Sequence, residues 1–231
     1  MADPLVLLPA MMCDARLFGP QMVELGQSRA LHLPPTGRHE TIEQTVAEIL
    51  SGAPDRFALA GAGFGGMVAL EIVRQAPKRV TRLALLDTIA QGELPAIAAE
   101  RDPKIARVMA GLLPEVIRDD ITPDDLAPGP HRQAVLDLVL QMALDQGEGV
   151  YLRQSRALQR RPDQQATLRR LEVPTLILCG AHDRIYPLPR HSFMAEMIET
   201  AELCVVAGAG HFPTLERPEE TTQALQAWLQ D

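Results

Sequence analysis

The sequence predicts an α/β fold: a mostly parallel sheet of about six strands flanked by helices, with a helical insertion between the fourth and fifth strands. Three observations carry this expectation. Short aliphatic runs alternate with stretches of helical periodicity, which requires crossover connections and parallel pairing. The runs are apolar throughout rather than at every second residue, as in strands covered on both faces. The alternation lapses over one segment, residues 91–170, and then resumes.

The elements follow in order. Leu5-Val6-Leu7-Leu8, bounded by Pro4 and Pro9, is the first strand, and a loop through Cys13, Asp14 and Ala15 leads to a helical stretch at 20–25. Ala30 to Leu33 forms the second strand, closed by Pro34-Pro35. Thr41 has capping chemistry, and Ile42, Val46, Ile49 and Leu50 repeat behind it at helical spacing. Phe57-Ala58-Leu59-Ala60 is the third strand, followed by a helix from Gly66 that turns Val68, Ile72 and Val73 inward. Leu83 to Leu86 is the fourth, ending at Asp87. Residues 91–170 hold helical segments broken by Pro95, Pro103, Pro114, Pro123, Pro128, Pro130 and Pro162, with Val135, Leu138, Val139 and Met142 at helical spacing. Strands resume at Val173–Cys179 and Leu203–Val206, and a last helix over Glu219–Leu229 places Leu225 and Trp228 on one side. The expected division is a core of residues 1–90 and 171–231 with an insertion at 91–170.

Composition narrows the function. A chain of 231 residues suits one α/β domain with a decoration. With 46% apolar and 23% charged residues it is neither a disordered, a collagen-like nor a disulfide-scaffold sequence. At 3% aromatic residues, aliphatic side chains must build the core. A net charge of −8 argues against a nucleic-acid partner, which needs a basic surface to displace counterions. Cys13, Cys179 and Cys204 are an odd number without paired spacing, so they are expected as reduced thiols. Leu5–Leu8 is too short for a secretory segment and is preceded by Asp3 rather than by basic residues. No apolar run approaches the ~18 residues of a membrane span. The expectation is a cytoplasmic protein with no membrane or nucleic-acid partner and no cofactor or metal; composition sets no oligomeric state.

Parallel sheets bind ligands beyond the carboxyl ends of their strands, so residues directly after strands carry the chemistry. Gly61-Ala62-Gly63-Phe64-Gly65-Gly66 lies between the third strand and its helix, where a nucleophile elbow of pattern G-x-nucleophile-x-G occurs. Gly61 and Gly65 occupy the two glycine positions, which leaves Gly63 at the nucleophile position. Two other readings stand beside it: a dinucleotide loop through Gly61, Gly63 and Gly66 with Asp87 as its acidic partner, and a purely structural glycine turn. Asp183 follows the fifth strand and His211 the sixth. An aspartate so placed accepts the Nδ1 proton of a histidine and fixes its tautomer, and the chain order of nucleophile position, acid and base matches that of a hydrolase.

With these residues the chain resembles the α/β-hydrolase superfamily, and specifically its small esterase- or lactonase-like members. The matching stretches are Leu7–Met11, Gly61–Gly66, Arg79–Asp87, Pro174–Asp183, and Gly208–His211 with Glu216-Arg217-Pro218. The resemblance implies hydrolysis of a small carboxylic ester, lactone or thioester through an acyl-enzyme. It implies Asp183 as the triad acid, His211 as the base, the amides of Met11 and Phe64 as the oxyanion hole, and 91–170 as a lid. The sequence departs from the family in three ways. The family's first antiparallel strand pair has no counterpart, Pro9-Ala10 stands where many members carry His-Gly, and Gly63 stands where they carry serine.

Three readings of Gly63 are open: an inactivated serine hydrolase, a non-hydrolytic ligand-binding member, and direct base chemistry by His211 with Asp183. Secondary signals are Cys13 as a second nucleophile, His182 as a loop or metal residue, and Asp87 as a loop anchor or alternative acid. The basic run Arg153, Arg156, Arg160, Arg161, Arg169 and Arg170 reads either as a solvated face paired with acids or as an attractor of an anionic substrate. Met11, Met12, Met67, Met109 and Met142 suggest an adaptable apolar pocket or gap-filling in the core.

Overall fold

The computed structural model describes residues 2–230. β1 (Leu5–Leu8), β2 (Leu31–His32), β3 (Phe57–Ala62), β4 (Val80–Leu86), β5 (Thr175–Gly180) and β6 (Ala201–Val206) form one sheet in the order β2-β1-β3-β4-β5-β6. The sheet is parallel throughout. Between these strands run α1 (Gly19–Leu25), α2 (Ile42–Gly52) and α3 (Phe64–Gln75). The segment after β4 holds α4 (Pro95–Met109), α5 (Leu113–Asp120), α6 (Arg132–Gln159) and the single turn α7 (Gln165–Leu168). α8 (Leu188–Met197) joins β5 to β6, and α9 (Pro213–Glu216) and α10 (Pro218–Trp228) follow β6.

The two faces of the sheet explain the continuous apolar runs. Leu5 and Leu7 of β1, Ala58 and Ala60 of β3 and Ala84 and Leu86 of β4 pack with Leu25, Leu225 and Trp228. Their neighbours Val6, Leu8, Leu59, Leu83 and Leu85 face the other way, against Val46, Ile49, Val68 and Ile72. Fully burying one such aliphatic side chain contributes about 1.5–3 kcal/mol, so the strand ends that carry the site are held rigidly. Thr41 caps α2 as expected, its Oγ1 accepting from Gln44 N at 3.2 Å. A third apolar cluster of Met12, Val108, Leu113, Val116, Ile117, Ala143 and Tyr151 ties the inserted helices to the loop after β1.

Two local expectations, at Pro103 and at the start of α3, need correction, and one further helix breaks at a glycine. Pro103 lies within α4 rather than ending it. Pro103 and Ala99, whose carbonyl loses its helical partner, are both exposed, so that carbonyl is not sealed away from solvent. α6 breaks at Gly147, where φ is 79° and ψ 173°, so that its two halves pack on different surfaces. α3 begins at Phe64, two residues before the expected Gly66, and this leaves the Phe64 N–H at the first helical position. Among the described residues no helix is long and apolar enough to cross a membrane.

Candidate active site

The predicted site residues converge at the carboxyl end of the sheet. The turn from β3 into α3 is tight: a β-carbon on Gly61 would run into the Gly65 carbonyl, and one on Gly65 into the Leu8 carbonyl. Gly63 is different. Its φ of +50° and ψ of −116° lie where side-chain-bearing residues are strained, while a β-carbon there meets Ala10 Cβ at 3.1 Å and little else. The turn is held by Gly63 N donating to Leu86 O (2.9 Å) and by the Thr88 hydroxyl donating to Gly63 O (2.6 Å).

Asp183 and His211 meet across the ends of β5 and β6. His211 Nδ1 lies 3.0 Å from Asp183 Oδ2, while Asp183 Oδ1 accepts from the amides of Ile185 (2.8 Å) and Tyr186 (3.0 Å). The Asp183 side chain is fully buried and that of His211 is 8% exposed. Burial pushes the Asp183 carboxyl up, but His211 and the Tyr186 amide outweigh burial and hold it below the usual carboxylate range. A carboxylate at Nδ1 fixes the proton there and turns the Nε2 lone pair outward. A β-carbon on Gly63 would lie 3.8 Å from that Nε2. Tyr186 and Phe212 brace the imidazole edge-on, with ring centroids 5.5 Å and 5.0 Å away.

A cavity of about 260 Å³ opens over these residues. Gly63, His211, Met11 and Phe64 line it. The Phe64 amide has no intrahelical acceptor, and neither it nor the Met11 amide donates a hydrogen bond among the described residues. The loop after β1, which carries Met11, is strained at Met12, where φ is 56°. It is fixed by Met12 N donating to Gln154 Oε1 (2.9 Å), from α6, and by Cys13 N donating to Ala10 O (3.1 Å).

Glu216 secures the histidine loop. Its Oε2 accepts from Ala127 N (2.7 Å) and Gly210 N (2.9 Å), and its Oε1 from Phe212 N (2.9 Å). Glu216→Ala leaves three partly buried amides without an acceptor. The expected loss is about 3 kcal/mol. For a chain of this size, a thermal melt should register it as a fall of roughly 6–12 °C in Tm.

Behind the acid lies a second buried pair. Asp87 and His191 are 1% and 0% exposed, and each offers an atom within 4.8 Å of Asp183 and of the other. Asp87 Oδ1 accepts from Gly180 N (2.9 Å), and His191 Nε2 accepts from Thr88 N (3.2 Å). Burial, then the charge of Asp183, raises the Asp87 carboxyl well above its usual range, so it holds its proton. It therefore anchors the end of β5, and it has no open side for a ribose, which removes the dinucleotide reading of Gly61, Gly63 and Gly66. Burial lowers the His191 pKa to about 4 against an ordinary 6.5. The unfolded chain thus takes up this proton first as pH falls. The stability His191 protects is complete above pH 6.5 and is lost towards pH 4, by about 3 kcal/mol. Denaturant titrations at pH 7 and pH 4.5 should show this loss for the parent chain and a smaller one for His191→Gln.

The remaining signals resolve as follows. Burial pushes the Cys13 thiol up to about 12, so it is no nucleophile at neutral pH. His182 is exposed in its loop. Four of the six arginines are partnered, Arg156 and Arg160 with Glu40, Arg153 with the Gly37 carbonyl and Arg161 with Glu93, while Arg169 and Arg170 are exposed. Met11 and Met12 line the cavity, Met67 and Met142 fill the core, and Met109 is exposed. Thr88, Gln154 and His191 had no sequence signal beyond their residue types, because each acts on backbone far away in the chain; Glu216 stood in a stretch that carried the resemblance, but its reach to Ala127 was not legible.

Comparison with known proteins places this geometry. A sequence model of the alpha/beta hydrolase family matches residues 12–224. The chain is 27% identical over 199 residues to a pimeloyl-[acyl-carrier protein] methyl ester esterase of Aromatoleum aromaticum, covering 79% of this chain and 78% of that protein. It is 28% identical over 244 residues to the enzyme of the same name from Citrobacter koseri, covering 98% and 93%. Among solved structures, a thermophilic esterase from Thermogutta terrifontis superposes with a TM-score of 0.89 at 24% identity, covering 99% of this chain and 90% of that one. An enol-lactonase from Burkholderia xenovorans LB400 superposes with a TM-score of 0.87 at 19% identity, covering 100% and 92%.

Proposed function

We infer, for a chain that belongs to the alpha/beta hydrolase family, that its site binds a small carboxylic ester, lactone or thioester and is built for serine-type acyl transfer, with Gly63 standing at the nucleophile position. The two relatives named by sequence are methyl ester esterases, and the observation that carries the reading is the alignment of Asp183, His211 and residue 63. The histidine is 3.0 Å from the aspartate on one side and 3.8 Å from a β-carbon on Gly63 on the other.

The chemistry follows from that line. A hydroxyl oxygen on residue 63 attacks the ester carbonyl carbon while His211 Nε2 takes its proton. The carbonyl oxygen becomes an oxyanion between the amides of Met11 and Phe64. His211 returns the proton to the departing alcohol, leaving an acyl-enzyme that water hydrolyses with the same base. The helices over 91–170 act as the lid. Gly63 removes the attacking oxygen and leaves binding, base and oxyanion donors in place, so the chain holds an ester with little turnover. Of the readings open for residue 63, a serine hydrolase lacking its nucleophile accounts for a complete acid–base pair and two unused amides at once.

Covalent labelling tests this. A fluorophosphonate probe should label Gly63→Ser stoichiometrically and leave the parent chain unlabelled. Equal labelling of both chains, or none of the variant, overturns the assignment.

A further inference from the structure

The cavity has a second chemical character at the end formed by the inserted helices. Its walls are apolar, with Met12, Ile117, Ile121 and Leu158 among them, yet Arg101 and Lys104 of α4 also line it. Lys104 is balanced: it pairs with Asp120 at 2.5 Å, and Tyr151 Oη donates to the same carboxylate at 2.8 Å. Arg101 is not. Its Nε and Nη2 bind Glu93 (2.7 Å and 2.9 Å), and Arg161 Nη1 binds the same carboxylate at 3.0 Å. Two guanidinium groups thus share one carboxylate, and the side chains of Arg161 and Glu93 are 6% and 2% exposed. One positive charge is left over: the Arg101 side chain is 22% exposed and lines the cavity, so its partly desolvated guanidinium is placed to receive an anion there.

The donors for such an anion are present. Arg101 Nη1 makes no hydrogen bond among the described residues, and the guanidinium edge that carries it belongs to a cavity-lining side chain. The Tyr186 phenol also lines the cavity without a hydrogen bond, and its ring packs against His211. It lies within electrostatic range of Arg101, Arg161 and Glu93. Tyr186 is thus in contact with the imidazole and within electrostatic reach of the surplus cation.

We propose that Arg101 and Tyr186 form an anion subsite that selects esters whose short acyl chain ends in a carboxylate. This rests on the reading that the ester carbonyl sits at Gly63. It adds the recognition of the acyl tail: the scissile ester lies against His211, the methylenes cross the apolar wall, and the carboxylate accepts from the Arg101 edge and the Tyr186 hydroxyl.

The parent chain is suited to the test because binding is read without turnover. Titration calorimetry compares the monomethyl ester of glutaric acid with the uncharged ester in which a carboxamide replaces its carboxylate. The charged ester should bind at least tenfold tighter, and in Arg101→Met the ratio should fall to within twofold of unity. Tyr186→Phe keeps the ring against His211 and removes only the hydroxyl; it should weaken the charged ester at least threefold, a readout that stands if Arg101→Met fails to fold. Equal binding of the two esters by the parent chain, or an undiminished ratio in both variants, overturns the subsite. Fluorophosphonate labelling of Gly63→Ser is independent of Arg101, so failure of the subsite is distinguishable from failure of the proposed reaction.

Discussion

Gly63→Ser is expected to raise the hydrolysis of a p-nitrophenyl ester by at least about 10³-fold over the parent chain. The geometry sets the direction. A β-carbon at residue 63 lies 3.8 Å from His211 Nε2, and a hydroxyl oxygen one bond further out comes within the ~2.6–3.2 Å that proton transfer requires. The Nδ1 of that ring is already bonded to Asp183, and Phe64, whose amide donates to nothing among the described residues, lines the cavity, so no group must move far to complete the site. The substitution carries a cost. A serine at φ +50° is strained by about 1–3 kcal/mol, and Ala10 Cβ, 3.1 Å from the new β-carbon, must give way by a few tenths of an ångström. The variant should therefore be faster and less stable at once. Adding His211→Ala should return it to the parental rate. If the parent chain already hydrolyses the ester, and His211→Ala abolishes that activity without any serine, His211 and Asp183 activate water directly and the acyl-enzyme reading falls.

The parts of this site that were legible in the sequence are those fixed by local chain geometry. Leu5–Leu8, Phe57–Ala60 and Leu83–Leu86 announce themselves because a strand covered on both faces has nowhere to put a polar side chain. Gly61 and Gly65 announce the turn because their backbones touch neighbouring carbonyls. Asp183 and His211 were legible because each directly follows a strand. What stayed hidden depends on contacts between distant segments. Gln154 reaches Met12 across 142 residues and Glu216 reaches Ala127 across 89, and neither residue type marks such a role. The arginine run invited an electrostatic reading, but Glu40, close by in space and far in sequence, takes two of its members. The cation that does line the cavity, Arg101, stands alone in α4, where no charge pattern singled it out. Pro103 misled because a proline inside a helix costs about 3 kcal/mol wherever it sits, and that cost alone does not end a helix held by packing: Val108 anchors α4 in the third apolar cluster, and the Ala99 carbonyl deprived of its partner is exposed.

In the Gly63→Ser background, Asp183→Asn should lower kcat by about 10⁴-fold, whereas Asp87→Asn should keep kcat within tenfold of its parent. The two aspartates are buried side by side, and only their charge states separate them. Asp183 is ionised because His211 and two amides stabilise the negative form; asparagine there presents the imidazole with the wrong partner and leaves its Nε2 without a usable lone pair. Asp87 is neutral because burial and the adjacent Asp183 disfavour a second charge. Asparagine reproduces that neutral acid, with an oxygen to accept from Gly180 N and an N–H in place of the carboxyl O–H. Stability should separate them again. A carboxyl whose native pKa is raised contributes fully below its unfolded value near 3.8 and loses that contribution as pH rises, because the unfolded chain gives up the proton and the folded chain does not. Asp87→Asn removes this penalty, so denaturant titrations should find the variant gaining on its parent as pH rises above 4, with the gap closed at pH 3.5. A collapse of kcat in Asp87→Asn to match Asp183→Asn would make Asp87 an ionised partner of the site, and would reverse the order of the two acids behind His211.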